Sequence, residues 1–208
     1  MVGHTLGLLS PEARIVDVGA GGRRITGDVV AVDAAHIPGV DVVADIHQLP
    51  LAEGSFDAVF CTGTLQHVRD PWGAVREFHR ALKPGGIVYI DVAFMQGYMQ
   101  DPADYWRFTR EGLRLMCQGF EEIDCGVQIG PTCGLVWVLR EWADSCFENR
   151  YLANLALIAT ALATAPLRYV DYFVWRKSKA HRVASAVYFR GRKRMAERGE
   201  SCPTLSMQ

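Results

Sequence analysis

The chain has 208 residues, half of them apolar, with a formal net charge of −1 at pH 7, which describes one domain with at most one elaboration and the ordinary composition of a soluble protein with a sizeable core. The near-neutral total hides an asymmetry, because residues 166–208 carry 10 Lys and Arg against 3 Asp and Glu whereas residues 1–165 carry 12 against 20. The six cysteines form neither a CxxC pair nor a Cys/His spacing suited to zinc, so reduced thiols are expected, with no disulfide framework and no metal site.

Ile15–Val18 is short, β-branched and bounded by a turn, and reads as a buried first strand. GAGGRR (19–24) follows, with three glycines in four positions. Glycine reaches positive φ without a Cβ clash and leaves room for a ligand to approach the backbone. A helix is expected after this turn, with Arg23 and Arg24 solvated on its first turn. Val29–Asp33 reads as the second strand and Val40–Ala44 as a third, ending at Asp45. His47–Ser55, with Pro50 and Gly54, is a loop, and Phe56–Cys61 is a fourth strand.

Pro71–Leu82 predicts a helix with proline at its start and Trp72, Val75, Phe78, His79 and Leu82 at 3–4 spacing. KPGG (83–86) would stop it before a fifth strand, Ile87–Val92. The loop Tyr98–Thr109 carries Tyr98, Tyr105, Trp106, Arg107 and Phe108. Thr109 is placed to cap a helix over Glu111–Cys117, and Phe120–Ile129 is a sixth strand. Gly134–Asn149 reads as a helix, Tyr151–Leu167 is an uncharged run of 17 residues, and RYVDYFVWRKSKAHR (168–182) is aromatic and basic. Ala184–Arg190 is the candidate seventh strand, and the polar residues after Gly191 are not expected to be ordered.

These elements predict an α/β fold: a Rossmann-like, doubly wound, seven-stranded and mostly parallel sheet, covered on both faces, with a helical insertion before the last strand. The expected division is a core over 1–133, an elaboration over 134–182, the last strand over 183–191 and a tail over 192–208. A ligand belongs at the carboxyl edge of such a sheet. A dinucleotide fits poorly there. Position 24 is Arg where the third glycine of the fingerprint should stand, and Asp33 comes 14 residues after Gly19 instead of about 20. Asp17, at the rim of the turn, suits a cationic amine.

VDVGAGG (16–22), VAVD (30–33), VVADIHQLPLAEGSFDAV (42–59), TLQHVRDP (64–71) and LKPGG (82–86) occur in that order. On these motifs, residues 15–92 resemble class I S-adenosylmethionine-dependent methyltransferases of the small-molecule type. The resemblance implies S-adenosyl-L-methionine as cofactor. Gly19, Ala20 and Gly21 would pack on its methionine half and Asp17 would meet its amino group. Asp33, with Ala34 beside it, would hold the ribose, Asp45 and Ile46 the adenine, and Thr62 and Gly63 the floor near the sulfonium. For each acid the plainer alternative is a cap or a turn residue. A hydroxyl acceptor needs its proton handled. His67 is the candidate for that role, with Asp91, Asp101, Asp104 and Tyr105 nearby, and a merely packed histidine remains the alternative. Tyr98, Tyr105, Trp106 and Arg107 are candidate contacts for a small-molecule, sugar or glycolipid acceptor. Their alternative is a structural lid in which Arg107 pairs with an acid.

Three readings stay open for residues 151–182: a membrane span, a helix buried on the core or in a homodimer, and a helix lying at a membrane surface. Nucleic acid ranks low as a partner, since no recognisable binding module accompanies the basic residues. The first residues hold no basic segment followed by an apolar one, so a cytoplasmic enzyme, peripheral to the inner membrane face in the third reading, is expected. The rival functions are a non-catalytic cofactor-binding subunit and an N- or C-methyltransferase of another metabolite. Few residues precede the first strand, so the helix that commonly lies over the cofactor is expected to be short or missing.

Overall fold

The computed structural model describes residues 1–195; the expected tail beyond them, with Cys202, lies outside the described residues. Seven strands form one sheet: β1 (Ile15–Val18), β2 (Val29–Asp33), β3 (Val42–Val43), β4 (Phe56–Thr62), β5 (Leu82–Ala93), β6 (Phe120–Ile129) and β7 (Ala186–Lys193). Their order is β3-β2-β1-β4-β5-β7-β6. The first five strands run parallel, and β7 inserts antiparallel between β5 and β6. The order reverses at β1, so the crevice beyond its carboxyl end is the place where such sheets take a ligand.

One face of the sheet is packed conventionally. Val16, Val18, Val59, Val88 and Ile90 meet Phe78 of α2 (Pro71–Ala81) and Leu113 of α3 (Arg110–Met116) in a continuous apolar core. Asp70 caps α2 by accepting from Gly73 N–H at 2.9 Å, and Thr109 caps α3 by accepting from Gly112 N–H at 3.0 Å.

The other face departs from the expected cover. The chain passes from the glycine turn to β2 with no helix between them, and no helix joins β2 to β3 or β3 to β4. Among the described residues, Val2 and Leu6 of α1 (Val2–Leu6), Leu9, Ile15 and Ile25 pack there, against Ala58, Phe60, Ile87, Tyr89 and Tyr188. Polar cross-strand contacts complete the seal. Tyr89 stacks on Tyr188 with ring centroids 5.8 Å apart and donates its hydroxyl to Gln128 Oε1 at 2.9 Å. Arg190 reaches both oxygens of Asp124 and donates to His4 Nδ1 at 2.9 Å.

Without that helix, Arg23 and Arg24 sit in a loop. Arg24 is more than solvated: it donates to Val29 O at 2.9 Å and pairs with Asp41, whose second oxygen accepts from Ala31 N–H at 2.9 Å. The guanidinium thereby ties the glycine loop to β2 and to the turn before β3. The backbone does the same at Gly22 (φ +75°), where a Cβ would lie 2.9 Å from Pro38 O. The tightness of this 22–39 contact leaves no room for a helical turn.

Other boundaries also move. β3 holds only Val42–Val43. KPGG ends the helix as expected but is absorbed into β5 as an irregularity, since Phe56 pairs with Leu82 and Ala58 with Ile87. β7 begins at Ala186 and runs on to Lys193, so Arg192 and Lys193, expected in the tail, pair with Glu121 and Phe120.

Between β6 and β7 lie α4 (Pro131–Ser145), α5 (Arg150–Thr164) and the short α6 (Asp171–Val174). α4 starts three residues earlier than expected and stops short of Asn149, because Pro131 suits a first helical turn and Asn149 instead caps α5. Asp171 accepts from Thr132 N–H at 2.8 Å and Cys133 N–H at 3.1 Å, so a carboxylate from α6 caps α4. Asp171→Ala leaves two helix-terminal donors without this partner and is expected to destabilise the fold by about 1–2 kcal/mol, read by urea denaturation.

Candidate functional site

Asp17 is the third residue of β1, between Val16 and Val18, and is 1% exposed. Strand alternation turns its neighbours into the apolar core and leaves Asp17 on the face that carries Phe60 and Tyr89. Its Oδ1 has no hydrogen-bond partner. Burial, with Asp91 and Asp33 adding like charge, pushes its carboxyl up to about 7. Asp91, near the end of β5, is pushed up to about 6 by burial and accepts from Gly63 N–H at 3.0 Å. Asp17 thus lies beneath the glycine turn, and its electrostatic neighbour, Asp91, is one of the candidate bases named from the sequence.

The glycine turn is locked over Asp17. Gly19 and Ala20 N–H donate to Val32 O at 2.8 and 3.2 Å. Gly19 has φ +78°, and Thr64 donates to its carbonyl at 3.2 Å. A Cβ on Gly19 would lie 2.2 Å from Thr64 Oγ1, so that position admits no side chain. Asp33 turns its carboxylate back to the loop, accepting from Gly21 N–H at 2.9 Å and Ala35 N–H at 3.0 Å, with Ala34 exposed between. Thr62 ends β4, and Gly63 follows it with φ +61°.

Asp45 follows the end of β3. It is exposed and accepts from His47 N–H at 2.9 Å and meets the His47 ring at 2.7 Å, contacts that hold it below the ordinary carboxylate range. Ile46 packs on the main core. Like charge thus links Asp17 to Asp91 and Asp33, while Asp45 lies at the end of β3 beside His47.

Two further polar atoms are buried without partners among the described residues: Gln66 Oε1 and His47 Nε2. Both follow strand ends on the carboxyl side of the sheet, after β4 and β3, as Asp17 lies near the end of β1. Buried polar atoms are nearly always paired. Three such orphans at or after neighbouring strand ends fit a bound group that offers donors, such as the amino, hydroxyl and amine groups of an amino-acid-bearing nucleoside. Sequence reasoning missed Gln66 and the His47 ring; a glutamine inside TLQHV carries no signal of its burial.

His67 sits in a short 3-10 turn (Leu65–His67) with Nδ1 3.1 Å from Ala103 O and Nε2 3.3 Å from the Gln66 amide nitrogen. Donation from Nδ1 to the carbonyl leaves Nε2 as the acceptor. In the loop after β5, Trp106 donates Nε1–H to Val68 O at 2.9 Å and packs edge-on against Trp72. Arg107 is bidentate with the buried Asp104 and donates to Gly97 O at 2.7 Å. These two hold the loop. Tyr98 and Tyr105 remain exposed, Tyr105 beneath the Arg69 guanidinium. Other hollows lie against α4, one between Trp137, Arg140 and Leu157 and one lined by Met95, Leu135, Val138 and Val183. Neither contains the acids.

An acid raised by burial contributes stability that is complete below its ordinary value near 3.8 and is lost as pH rises through its folded value. Asp17→Asn removes that loss. The variant is expected to gain roughly 2 kcal/mol over the wild type between pH 5 and pH 8, read as the difference in unfolding free energy at the two pH values.

Residues 16–90 match the family model described as "Methyltransferase domain". The chain is 34% identical over 100 residues to the ubiquinone biosynthesis O-methyltransferase of Pseudomonas aeruginosa (strain UCBPP-PA14), a match covering 37% of this chain and 43% of that enzyme. It is 36% identical over 181 residues to an uncharacterized 37.1 kDa protein in transposon TN4556 of Streptomyces fradiae, covering 79% of this chain and 51% of that one. The chain thus spans about half the length, or less, of these relatives. Phosphoethanolamine N-methyltransferase 2 of Haemonchus contortus, solved with S-adenosyl-L-methionine, superposes with a TM-score of 0.57 at 18% identity, covering 93% of this chain and 51% of that one. The strand order, the antiparallel β7, the glycine turn and these likenesses agree: residues 16–90 match a methyltransferase domain, and the chain has the Rossmann-like fold of the solved methyltransferases it resembles.

Proposed function

We propose that the chain transfers a methyl group from S-adenosyl-L-methionine to a hydroxyl oxygen of a small molecule, sugar or glycolipid. The observation that carries the reading is the buried, unpartnered oxygen of Asp17 beneath a turn that tolerates no side chain at Gly19. A carboxylate raised by burial and by two like charges gains most from a cationic partner. The amino group of the cofactor is such a partner, and its sulfonium supplies an already activated methyl group.

In this reading Gly19, Ala20 and Gly21 cradle the methionine half. Asp33 receives the ribose hydroxyls with the lone pairs that Gly21 and Ala35 leave, and Asp45 and Ile46 border the adenine. Thr62 and Gly63 floor the site, with Gln66 adding an acceptor. The chain's own part in the chemistry is alignment and exclusion of water. His67 Nε2, kept as the acceptor tautomer by the bond from Nδ1 to Ala103, exchanges the Gln66 amide for the acceptor hydroxyl and takes its proton. Tyr98 and Tyr105 offer ring faces to the acceptor, as aromatic side chains do for sugars, while Trp106 and Arg107 keep the loop in place. The likeness to an O-methyltransferase supports oxygen as the methylated atom.

Calorimetric titration with S-adenosyl-L-methionine tests the cofactor site. Affinity is expected to fall as pH drops from 7 toward 5.5, by up to tenfold per unit, because protonation of Asp17 removes the charge that the amine meets. Asp17→Asn is expected to bind at least about tenfold more weakly and to lose that pH dependence; unchanged affinity in the variant rejects the assignment. Transfer of labelled methyl to extracted glycans and lipids tests the acceptor. His67→Gln is expected to lower kcat by about 10²-fold or more with little change in KM, the usual scale of a lost general base.

A further inference from the structure

Helix α5 is built inside out. Tyr151, Leu155, Ile158 and Leu162, spaced four, three and four residues apart, form one stripe and are 58–75% exposed. The side turned to the protein holds Ala153, Leu157, Thr160 and Thr164, mostly small, with Ala153 and Thr164 buried and Leu157 half-buried against α4. A helix on the surface of a water-soluble domain has the opposite arrangement. Exposed aromatic side chains continue the pattern on the neighbouring elements, with Trp142 on α4 and Tyr172 and Phe173 on α6. Isolated apolar residues on a surface need no explanation, but a whole helical face marks an interaction site.

The charges beside this face select the occupant. Arg150, Arg176, Lys177, Lys179 and Arg182 are exposed, and Asp171 is the single acid between residues 150 and 182. Its carboxylate is turned inward onto the first turn of α4. Arg150 lies 5.5 Å over the Tyr151 ring and Arg176 lies 5.0 Å over the Trp175 ring, so cations and aromatic rings are paired at the flanks of the apolar run. Aliphatic residues in the middle with aromatic and basic residues at the margins match the depth profile of a bilayer with anionic headgroups. We propose that the α5–α6 surface docks on an anionic lipid bilayer, with the Tyr151–Leu162 stripe at the acyl boundary and the cations among the lipid phosphates.

The helix lies on the membrane in this arrangement and does not cross it. Arg150–Leu167 is long and apolar enough to be a span by length and composition alone. Yet it is the one such helix among the described residues, and β6 before it and β7 after it pair in the same sheet, so a single crossing would divide that sheet. Its inner side is already packed on α4. A second copy of the chain is a poorer occupant, since a two-fold contact would set this basic margin against itself. Nucleic acid has no use for a leucine and isoleucine stripe.

Flotation of the whole chain with vesicles of phosphatidylcholine, with and without phosphatidylglycerol, tests the proposal. Binding is expected on the anionic vesicles, at least about tenfold stronger than on the neutral ones, and is expected to weaken in high salt. Leu155→Ser/Ile158→Ser/Leu162→Ser changes exposed positions only and is expected to keep the thermal midpoint while abolishing flotation. Arg176→Glu/Lys177→Glu/Lys179→Glu is expected to lower partitioning roughly a hundredfold. The proposal is overturned if the wild type ignores anionic vesicles, or if either triple variant, with an unchanged midpoint, floats as the wild type does. It is likewise overturned if sedimentation shows a dimer that the serine variant dissociates while vesicles recruit neither.

Discussion

A carboxylate inside a buried parallel strand is an expensive residue for a sheet to carry. Asp17 stands where β1 otherwise has isoleucine and valine, one of its oxygens meets nothing, and Asp33 and Asp91 bring further negative charge to bear on it. Replacing it with an apolar residue would ease the fold. Its placement makes sense if the empty protein is not the state the site is built for: a cation entering the crevice relieves burial and repulsion together. The glycine turn serves the same end. Only a turn without a Cβ at Gly19 can sit between Thr64 and the crevice, and the bonds to Val32 fix it there before any ligand arrives.

The rigidity of that turn is achieved by uncommon means. In a doubly wound sheet the helix after β1 buries one face and holds the glycine loop by its first turn. Here the helix is replaced by Arg24, bonded to Val29 and paired with Asp41, and by the close passage of Gly22 over the turn before β3. The exposed face of the sheet is correspondingly sealed by side chains that bring their own polar partners. Tyr89 with Gln128, and Arg190 with Asp124 and His4, can sit at a thinly covered surface where a purely aliphatic layer could not. A lean domain thus keeps the crevice of a larger one.

What could be read from the residues follows from the range of the forces involved. Strand positions rest on local apolar runs, so β1, β2 and β6 begin and end as expected. The cap at Thr109 likewise depends on a residue three positions away. The missing helix was hidden because glycine turns of this kind are followed by helices in most sheets, and the fate of Arg24 was decided by Asp41, far along the chain. The early start of β5 was hidden because its edge residues gain a partner in Phe56 that no local pattern reveals. Asp45 looked equivalent to Asp33 in sequence, but two residues on stands His47, which claims its oxygen. Burial of Gln66 depends on the loop after β5 folding back on it, with Tyr105 and Trp106 donating to its carbonyl.

The charge asymmetry of the chain acquires a meaning from this layout. The acidic stretch, residues 1–165, contains the crevice with Asp17, Asp33 and Asp91, and the proposed guest of that crevice is a cation. The basic stretch flanks a helix whose larger apolar residues face outward, and the proposed partner there is an anionic surface. A near-zero total is then the sum of two fields that recruit opposite charges at different places. Exposed fields of this kind reach about 10 Å at ordinary ionic strength, so the basic margin of α5 and α6 does little to repel a cation from a crevice under the glycine turn unless the two lie within that distance. The buried acids are screened far less than the exposed cations. Salt should therefore separate the two functions, weakening attachment at the surface while leaving the pull of Asp17 on a bound amine largely intact.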